Sequence, residues 1–218
     1  MLTIHTAGLL VPGDRRPAVP DGAVLVDGRV IAAVGPYEEL VAARPTARVR
    51  RWPGLLTPGL LNPHGPELLE LAYHPDPREA DELGTEPLTG DALAAVVESG
   101  ALTDARRGAS ARRGVQRMLA HGTVAVAGDL WRPAVADAVH RAGLRVEQRF
   151  GSPTGPPSLD PLAGRKLAEA ILTPLAPHSG ADATFAVFDV PDEAALTERG
   201  AVTCVATVVG GRLVHRRR

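Results

Sequence analysis

Two hairpin patterns, one near each end of the chain, constrain the fold more than any other feature. Ala23-Val24-Leu25-Val26, then Asp27-Gly28, then Arg29-Val30-Ile31-Ala32-Ala33-Val34 sets a tight turn between two apolar runs. Asp-Gly readily takes the positive φ values that a two-residue hairpin turn demands. Towards the other end, Val202 to Val209, Gly210-Gly211 and Arg212 to His215 repeat the pattern, after an apolar run at Phe185 to Phe188. Leu2 to Leu10 reads as a further strand and Pro36 to Ala43 as a short helix. The two β-rich ends are expected to share one sheet assembly.

The centre has a different period. Ala109 to His121 fits a helix with Val115, Met118 and Leu119 on one face, ended by Gly122. Thr123 to Ala127 follows as a buried strand, Pro133 to Ala142 as a helix and Leu144 to Phe150 as a strand. Strand, helix and strand with short connections make one βαβ unit, which favours parallel pairing. Leu88 to Ser99 and Pro161 to Leu172 read as further helices, and Gly151 to Pro161 as a Pro/Gly-rich connector.

Composition excludes several classes. The chain has 218 residues, which suits one compact domain or one domain with a modest appendage. Hydrophobic residues make up 44% and charged residues 22%, which excludes wholesale disorder. The formal net charge of −1 argues against a nucleic-acid binder that relies on an overall positive field. One cysteine, Cys204, permits neither a disulfide framework nor a Cys-rich zinc module, and its apolar strand context predicts a buried small hydrophobe. No secretory leader is read at the start, and no apolar stretch approaches the ~20 residues of a membrane helix, so a cytoplasmic protein with no membrane partner is expected. No Walker loop, Gly-x-Gly-x-x-Gly, nucleophile elbow or His-Glu-x-x-His occurs.

The most informative stretch is Leu55-Leu56-Thr57-Pro58-Gly59-Leu60-Leu61-Asn62-Pro63-His64-Gly65-Pro66. It resembles the first barrel strand of the amidohydrolase superfamily, in which Pro-Gly, apolar residues and Asn or Asp lead into His-x-His. Other stretches agree in order. The hairpin and Ile31-Ala32-Ala33-Val34-Gly35 resemble that family's N-terminal β-sandwich strands. Met118 to Val126 resembles a helix end and second barrel strand, and Ala138 to Arg145 the next helix and third strand. Gly180 to Asp189 resembles the return to the sandwich, with Thr184 where Asp is usual, and Val205 to Arg212 closes it. Asn62-Pro63-His64 and the helix before His121 lean towards imidazolonepropionase. The resemblance implies an α/β plus β fold, a composite β-sandwich formed by both chain ends with an inserted, truncated (β/α) barrel-like segment. The expected domains are 1–55 with 178–218 for the sandwich, and 56–177 for the barrel remnant.

The departures bear on function. A complete (β/α)₈ barrel needs roughly 200–250 residues, whereas Pro58 to Pro177 is 120 residues. The matches stop after the third strand, and the strands that carry the family's remaining metal ligands and catalytic aspartate have no counterpart. A His-x-His pair on a strand points both imidazoles to one side, because side chains alternate with period two. Here the first position is His64 and the second is Pro66, which has no ligand atom. A catalytic zinc site normally needs three protein ligands and an open position.

The candidate metal ligands are therefore His64 and His74, in a site rebuilt with Glu67, Glu70 or Asp129, set against His64 as a solvated loop histidine left from ancestry. Asp129 follows the end of a predicted strand, where barrel chemistry is located, and is the candidate catalytic residue; a turn or cap role before Pro133 is the alternative. Glu67 and Glu70 have helical spacing, and paired carboxylates can divide acid and base roles, but a solvated face is favoured for them. His121 and His140 are read as helix C-end residues, and Arg106, Arg107, Arg112, Arg113 and Arg216 to Arg218 as surface arginines. Two functions follow. The favoured one is an amidohydrolase-related protein that has lost zinc-dependent hydrolysis and has a binding, accessory or structural role, with no cofactor. The competing one is a hydrolase of non-peptide C–N bonds using zinc or iron, with a rebuilt or intersubunit site. A small-molecule ligand is compatible with either, and a homodimer is expected to cover the open barrel edges.

Overall fold

A computed structural model describes residues 1–177 and 182–217. The boundary expected at residue 178, the Gly180-Ala181 start of the last match and Arg218 lie outside the described residues. The N-terminal part runs β1 (Leu2–Thr6), β2 (Leu9–Leu10), β3 (Val19–Pro20), β4 (Gly22–Asp27), β5 (Val30–Pro36), α1 (Tyr37–Ala43), β6 (Arg48–Arg51) and β7 (Leu55–Pro58). The centre continues with β8 (Leu60–Asn62), α2 (Gly65–Leu69), α3 (Ala80–Leu83), α4 (Gly90–Glu98), α5 (Asp104–Leu119), β9 (Thr123–Ala127), α6 (Pro133–Ala142) and β10 (Arg145–Glu147). The last part is α7 (Leu167–Ala170), β11 (Phe185–Phe188), α8 (Glu193–Arg199), β12 (Cys204–Val209) and β13 (Arg212–Arg216).

The chain divides into two compact units: residues 1–61, 119–124 and 160–218, and residues 62–118 and 125–159. The first holds a four-stranded sheet, ordered β5-β4-β1-β6, and a six-stranded sheet, ordered β13-β12-β11-β7-β2-β3. The six-stranded sheet joins the chain ends where β7 pairs antiparallel with β11, Leu56 opposite Val187. Period-two alternation assigns the faces. Val24, Val26 and Ile31 share one core with Leu56, Phe185, Val187, Ala206 and Val208, so the two sheets of this unit pack on each other. The opposite face of the four-stranded sheet, through Ile4, Ala23 and Leu25, packs on Leu40 of α1. The opposite face of the other sheet, through Leu55, Ala186, Phe188 and Cys204, packs on Leu196 of α8 and on Leu167 and Ala170 of α7.

Both hairpins form, and their turns differ. Asp27 pairs with Val30, so Gly28 and Arg29 are the central residues, with Gly28 at φ +60°. A glycine at the first central position is the type II′ signature. Val209 pairs with Arg212, and Gly210 and Gly211 both have positive φ, 52° and 74°, as type I′ requires.

The three-stranded sheet is ordered β10-β9-β8. In the second unit β9 and β10 pair in parallel, Val146 opposite Val126, with α6 as the connecting helix. α6 ends at Gly143 in the left-handed conformation, as a helix C-terminus favours. Among the described residues all three sheets are open, and no helix is long and apolar enough to cross a membrane.

Several elements differ from the sequence reading. Leu2 to Leu10 is two strands in different sheets, separated at Ala7-Gly8. The helix read over Pro161 to Leu172 is confined to Leu167–Ala170. Gly164 has φ +69°, and the Asp160 carboxylate accepts from the backbone N–H groups of Leu162 and Ala201, which pins this segment outside a helix. The strand read over Leu144 to Phe150 is only Arg145–Glu147, since the Leu144 N–H is taken by the Val139 carbonyl at the end of α6. α5 starts at Asp104, five residues before its expected start.

Candidate functional site

β9 and β10 are parallel and deliver their carboxyl ends to the same side, and the loops leaving such ends are where open α/β sheets bind ligands. The loops after β8, β9 and β10 hold His64, Asp129 and Arg149 respectively. Asn62, the last residue of β8, is fully buried. Its amide nitrogen donates to the Ser158 carbonyl at 2.8 Å, and its side-chain oxygen accepts the His64 N–H at 3.0 Å. This short-range turn, typical of asparagine, takes the chain straight from strand to helix. His64 is the N-cap of α2, with φ −104° and ψ 40°, so residues 64 and 66 do not alternate along a strand. Pro66 lies in the first turn of α2, where a missing N–H costs nothing. The start of α2 is held tightly to the end of β9. A Cβ on Gly65 would meet the Ala127 carbonyl at 2.9 Å, and one on Gly128 would meet Pro66 Cδ at 2.7 Å.

The two carboxylates of this helix are both engaged by arginine. Arg149 Nη1 donates to both Glu67 oxygens at 2.8 Å and to the Pro63 carbonyl at 3.2 Å. Glu70, which follows α2 directly, has a fully buried side chain that accepts from Arg132 Nη1 at 2.7 Å and from the Arg132 N–H at 2.9 Å. Since Arg132 is the N-cap of α6, Glu70 both neutralises a guanidinium and anchors the start of that helix. The reading of Glu70 as part of a solvated face is therefore corrected: its partner lies 62 residues away, beyond any local pattern. The same pair forms one wall of a small pocket that includes Tyr73, Arg107, Ser110 and Val135.

Truncating Glu70 is expected to be costly. Glu70→Ala removes the acceptor of the Arg132 N–H and leaves the guanidinium only the Glu70 carbonyl, and the expected loss is about 2 kcal/mol, with the guanidinium's partial exposure reducing the usual penalty for breaking a buried pair. Glu70→Gln keeps an acceptor and should lose about half as much. Urea denaturation of the two variants against the parent protein measures both.

His74 is fully buried, with its N–H donating to Ser110 Oγ at 2.8 Å. Its Nε2 lies 2.8 Å from the Leu68 carbonyl, so Nε2 carries the proton and donates. Room for the ring comes from Gly114 on α5, where a Cβ would approach Nε2 to 2.6 Å. Burial pushes the imidazole pKa down, reinforced by Arg117 and Arg113 and opposed by the Leu68 carbonyl. Arg113 also donates to the His74 carbonyl and pairs with Asp76, while Arg106 pairs with Glu79, which in turn accepts from the Tyr73 hydroxyl. These contacts lock the segment after α2 onto α5. Asp129 is exposed in the loop after β9, and His64 is buried.

The donor set does not fit a divalent metal. Glu67 and Glu70 are each neutralised by a guanidinium, and the Pro66 side chain has no donor atom. Among the described residues no group of three or more His, Cys, Asp or Glu side chains stands close enough together to hold a metal ion. The residues that local sequence reasoning missed are Arg132 and Arg149. Both sit one strand or loop away from the helix they serve, with only their positions near strand ends as a signal.

A family model described as "Imidazolonepropionase-like composite domain, bacteria" matches residues 22–43, the stretch that forms β4, β5 and α1. This chain resembles the amidohydrolase superfamily. Solved structures similar to it include A. niger ochratoxinase (25% identity, 67% of this chain and 31% of that one, TM-score 0.45). The guanine deaminase from Bradyrhizobium japonicum shows 18% identity over 68% of this chain and 34% of its own, with a TM-score of 0.48. An adenosine deaminase from Xanthomonas campestris with bound zinc shows 23% identity over 66% and 32%, with a TM-score of 0.44. This chain thus spans about a third of the length of these amidohydrolase structures. No curated protein matches its sequence.

Proposed function

We propose that this chain is an amidohydrolase-related protein that has lost zinc-dependent hydrolysis and has a binding, accessory or structural role. In this reading residues 1–55 and 178–218 are the composite β-sandwich, and residues 56–177 are the remnant of a barrel. The match over residues 22–43 and the core shared by the four- and six-stranded sheets support the first part. One observation carries the loss of hydrolysis: the turn after β8 offers Pro66 in place of a second imidazole, and the neighbouring Glu67 is bound by Arg149. A metal in such a site lowers the pKa of bound water and polarises the scissile group. A guanidinium paired with the local carboxylate adds positive charge where a divalent cation would need negative charge.

Thermal unfolding with and without zinc tests this. A metal that binds only the folded state stabilises it by about 2.7 kcal/mol when free metal is a hundred times Kd. The expected result is the same Tm in excess zinc and in chelator, for the parent protein and for His64→Ala alike. A zinc-dependent rise in Tm that His64→Ala abolishes would overturn the reading in favour of a metal-dependent hydrolase of non-peptide C–N bonds.

A further inference from the structure

The edge of the three-stranded sheet is a pairing surface. β10 is its terminal strand, and Arg145, Val146 and Gln148 are exposed along it. The hydrogen-bond pattern shows which backbone groups face outward. Gly128 N–H donates to the Glu147 carbonyl, and Glu147 is paired with Ala127, so the N–H and C=O of Glu147, and of Arg145 two residues earlier, point towards β9. Backbone polar groups alternate in direction along a strand, so those of Val146 point away from the sheet. An edge with outward-pointing N–H and C=O groups is a template for another strand, and a protein that leaves it bare risks uncontrolled association.

The side chains say which strand fits. The edge reads Arg145-Val146-Glu147, which is self-complementary in charge about its central residue. We propose that two copies of this chain pair through β10, antiparallel, about a two-fold axis at Val146. Val146 of one protomer and Val146 of its partner then exchange both backbone hydrogen bonds. Arg145 of one faces the partner's Glu147, and Glu147 faces the partner's Arg145, in the closer-spaced positions on either side. In the single chain Arg145 Nε and Glu147 Oε1 are 3.7 Å apart and both partly exposed, so each side chain can reach across the edge without leaving a buried site. A second hydrogen bond from each protomer is available from the Gln148 N–H to the Leu144 carbonyl opposite. Two apolar side chains join at the seam: Val146, 49% exposed, and Phe150, 87% exposed. The contact is isologous and closes on itself, which ends association at the dimer. This pairing does not depend on whether the strand ends hold a metal.

Sedimentation velocity across the micromolar range, with three variants, tests the proposal. The parent protein is expected to be a dimer that dissociates on dilution. Arg145→Glu sets Glu against Glu twice, and Glu147→Arg sets Arg against Arg twice, so each alone should weaken the dimer by about tenfold or more. An equimolar mixture of the two restores both opposite-charge pairs and should re-form a mixed dimer. Val146→Pro removes the outward N–H without touching the ladder to β9, and should give folded monomer by circular dichroism. A parent protein that stays monomeric throughout, a dimer indifferent to both charge variants, or variants that fail to recover on mixing would each overturn it.

Discussion

Gly54→Ala is expected to destabilise the first unit by at least about 3 kcal/mol, the largest effect of any single methyl group considered. Gly54 has φ +64°, a left-handed conformation that costs an alanine about 1 kcal/mol. The more serious obstacle is space. A Cβ at this position would lie 2.3 Å from the Phe188 carbonyl, 2.6 Å from the Val190 carbonyl and 2.7 Å from the Val190 nitrogen. All three are backbone atoms, so no rotamer change relieves the contact. Gly54 also precedes β7, the strand that joins the two chain ends, and its carbonyl accepts the Leu9 N–H at 3.1 Å. Relief therefore requires β11 to move off β7. Gly35→Ala is the control, because a Cβ there meets nothing within 4 Å, and its expected effect is within about 0.5 kcal/mol of zero. Urea denaturation followed by circular dichroism reads both, and equal midpoints for the two variants would contradict the close approach.

Acidification is expected to weaken the same unit well before carboxylates titrate. His5 is buried, and burial, with Arg50 and Arg48 adding to it, lowers its pKa from 6.5 to about 4. The geometry agrees with a neutral ring: Nδ1 accepts the Trp52 Nε1–H at 3.1 Å, and the ring meets Phe185 edge-on at a centroid distance of 4.9 Å. Protonation at Nδ1 would set two donors against each other. Because the folded pKa lies below the unfolded one, the unfolded chain takes up the proton first as pH falls. The contribution is complete above pH 6.5 and is lost as pH falls to about 4. It amounts to about 3 kcal/mol in all, with about 2 kcal/mol gone by pH 5. The lowered His74 and His215 pKa values act in the same direction. Denaturation midpoints measured from pH 7.5 to 5 should fall for the parent protein. They should fall distinctly less for His5→Gln, whose side-chain oxygen can still accept from Trp52 but does not titrate. Equal slopes for the two proteins would contradict the assignment.

Local chemistry made much of the fold legible. The Asp27-Gly28 and Gly210-Gly211 pairs marked both hairpins, and glycine's tolerance of positive φ explains why; the first turn moved one residue, to Gly28-Arg29. Thr123–Ala127 and Pro133–Ala142 form as read, because a five-residue apolar run suits a buried strand and Pro133 and Gly143 punctuate the helix. What was hidden depends on distant partners. Leu2 to Leu10 carries one apolar pattern, yet Thr6 and Leu9 belong to different sheets, and nothing within nine residues shows where the chain crosses. The carboxylates are similar. Glu67 and Glu70 look alike in sequence, and their roles are set by Arg149 and Arg132, 82 and 62 residues further on. His74, a candidate ligand in the sequence, is a fully buried imidazole for which Gly114 makes room and Leu68 supplies an acceptor, and neither neighbour is visible from its local sequence.

The most direct test of the central claim is the metal content per chain. Untagged protein expressed with zinc and iron available is dialysed against metal-free buffer and measured by inductively coupled plasma mass spectrometry, with His64→Ala alongside. The account expects folded protein with far less than one metal ion per chain, and no difference between parent and variant. Near-stoichiometric zinc or iron in the parent protein that disappears in His64→Ala would contradict it.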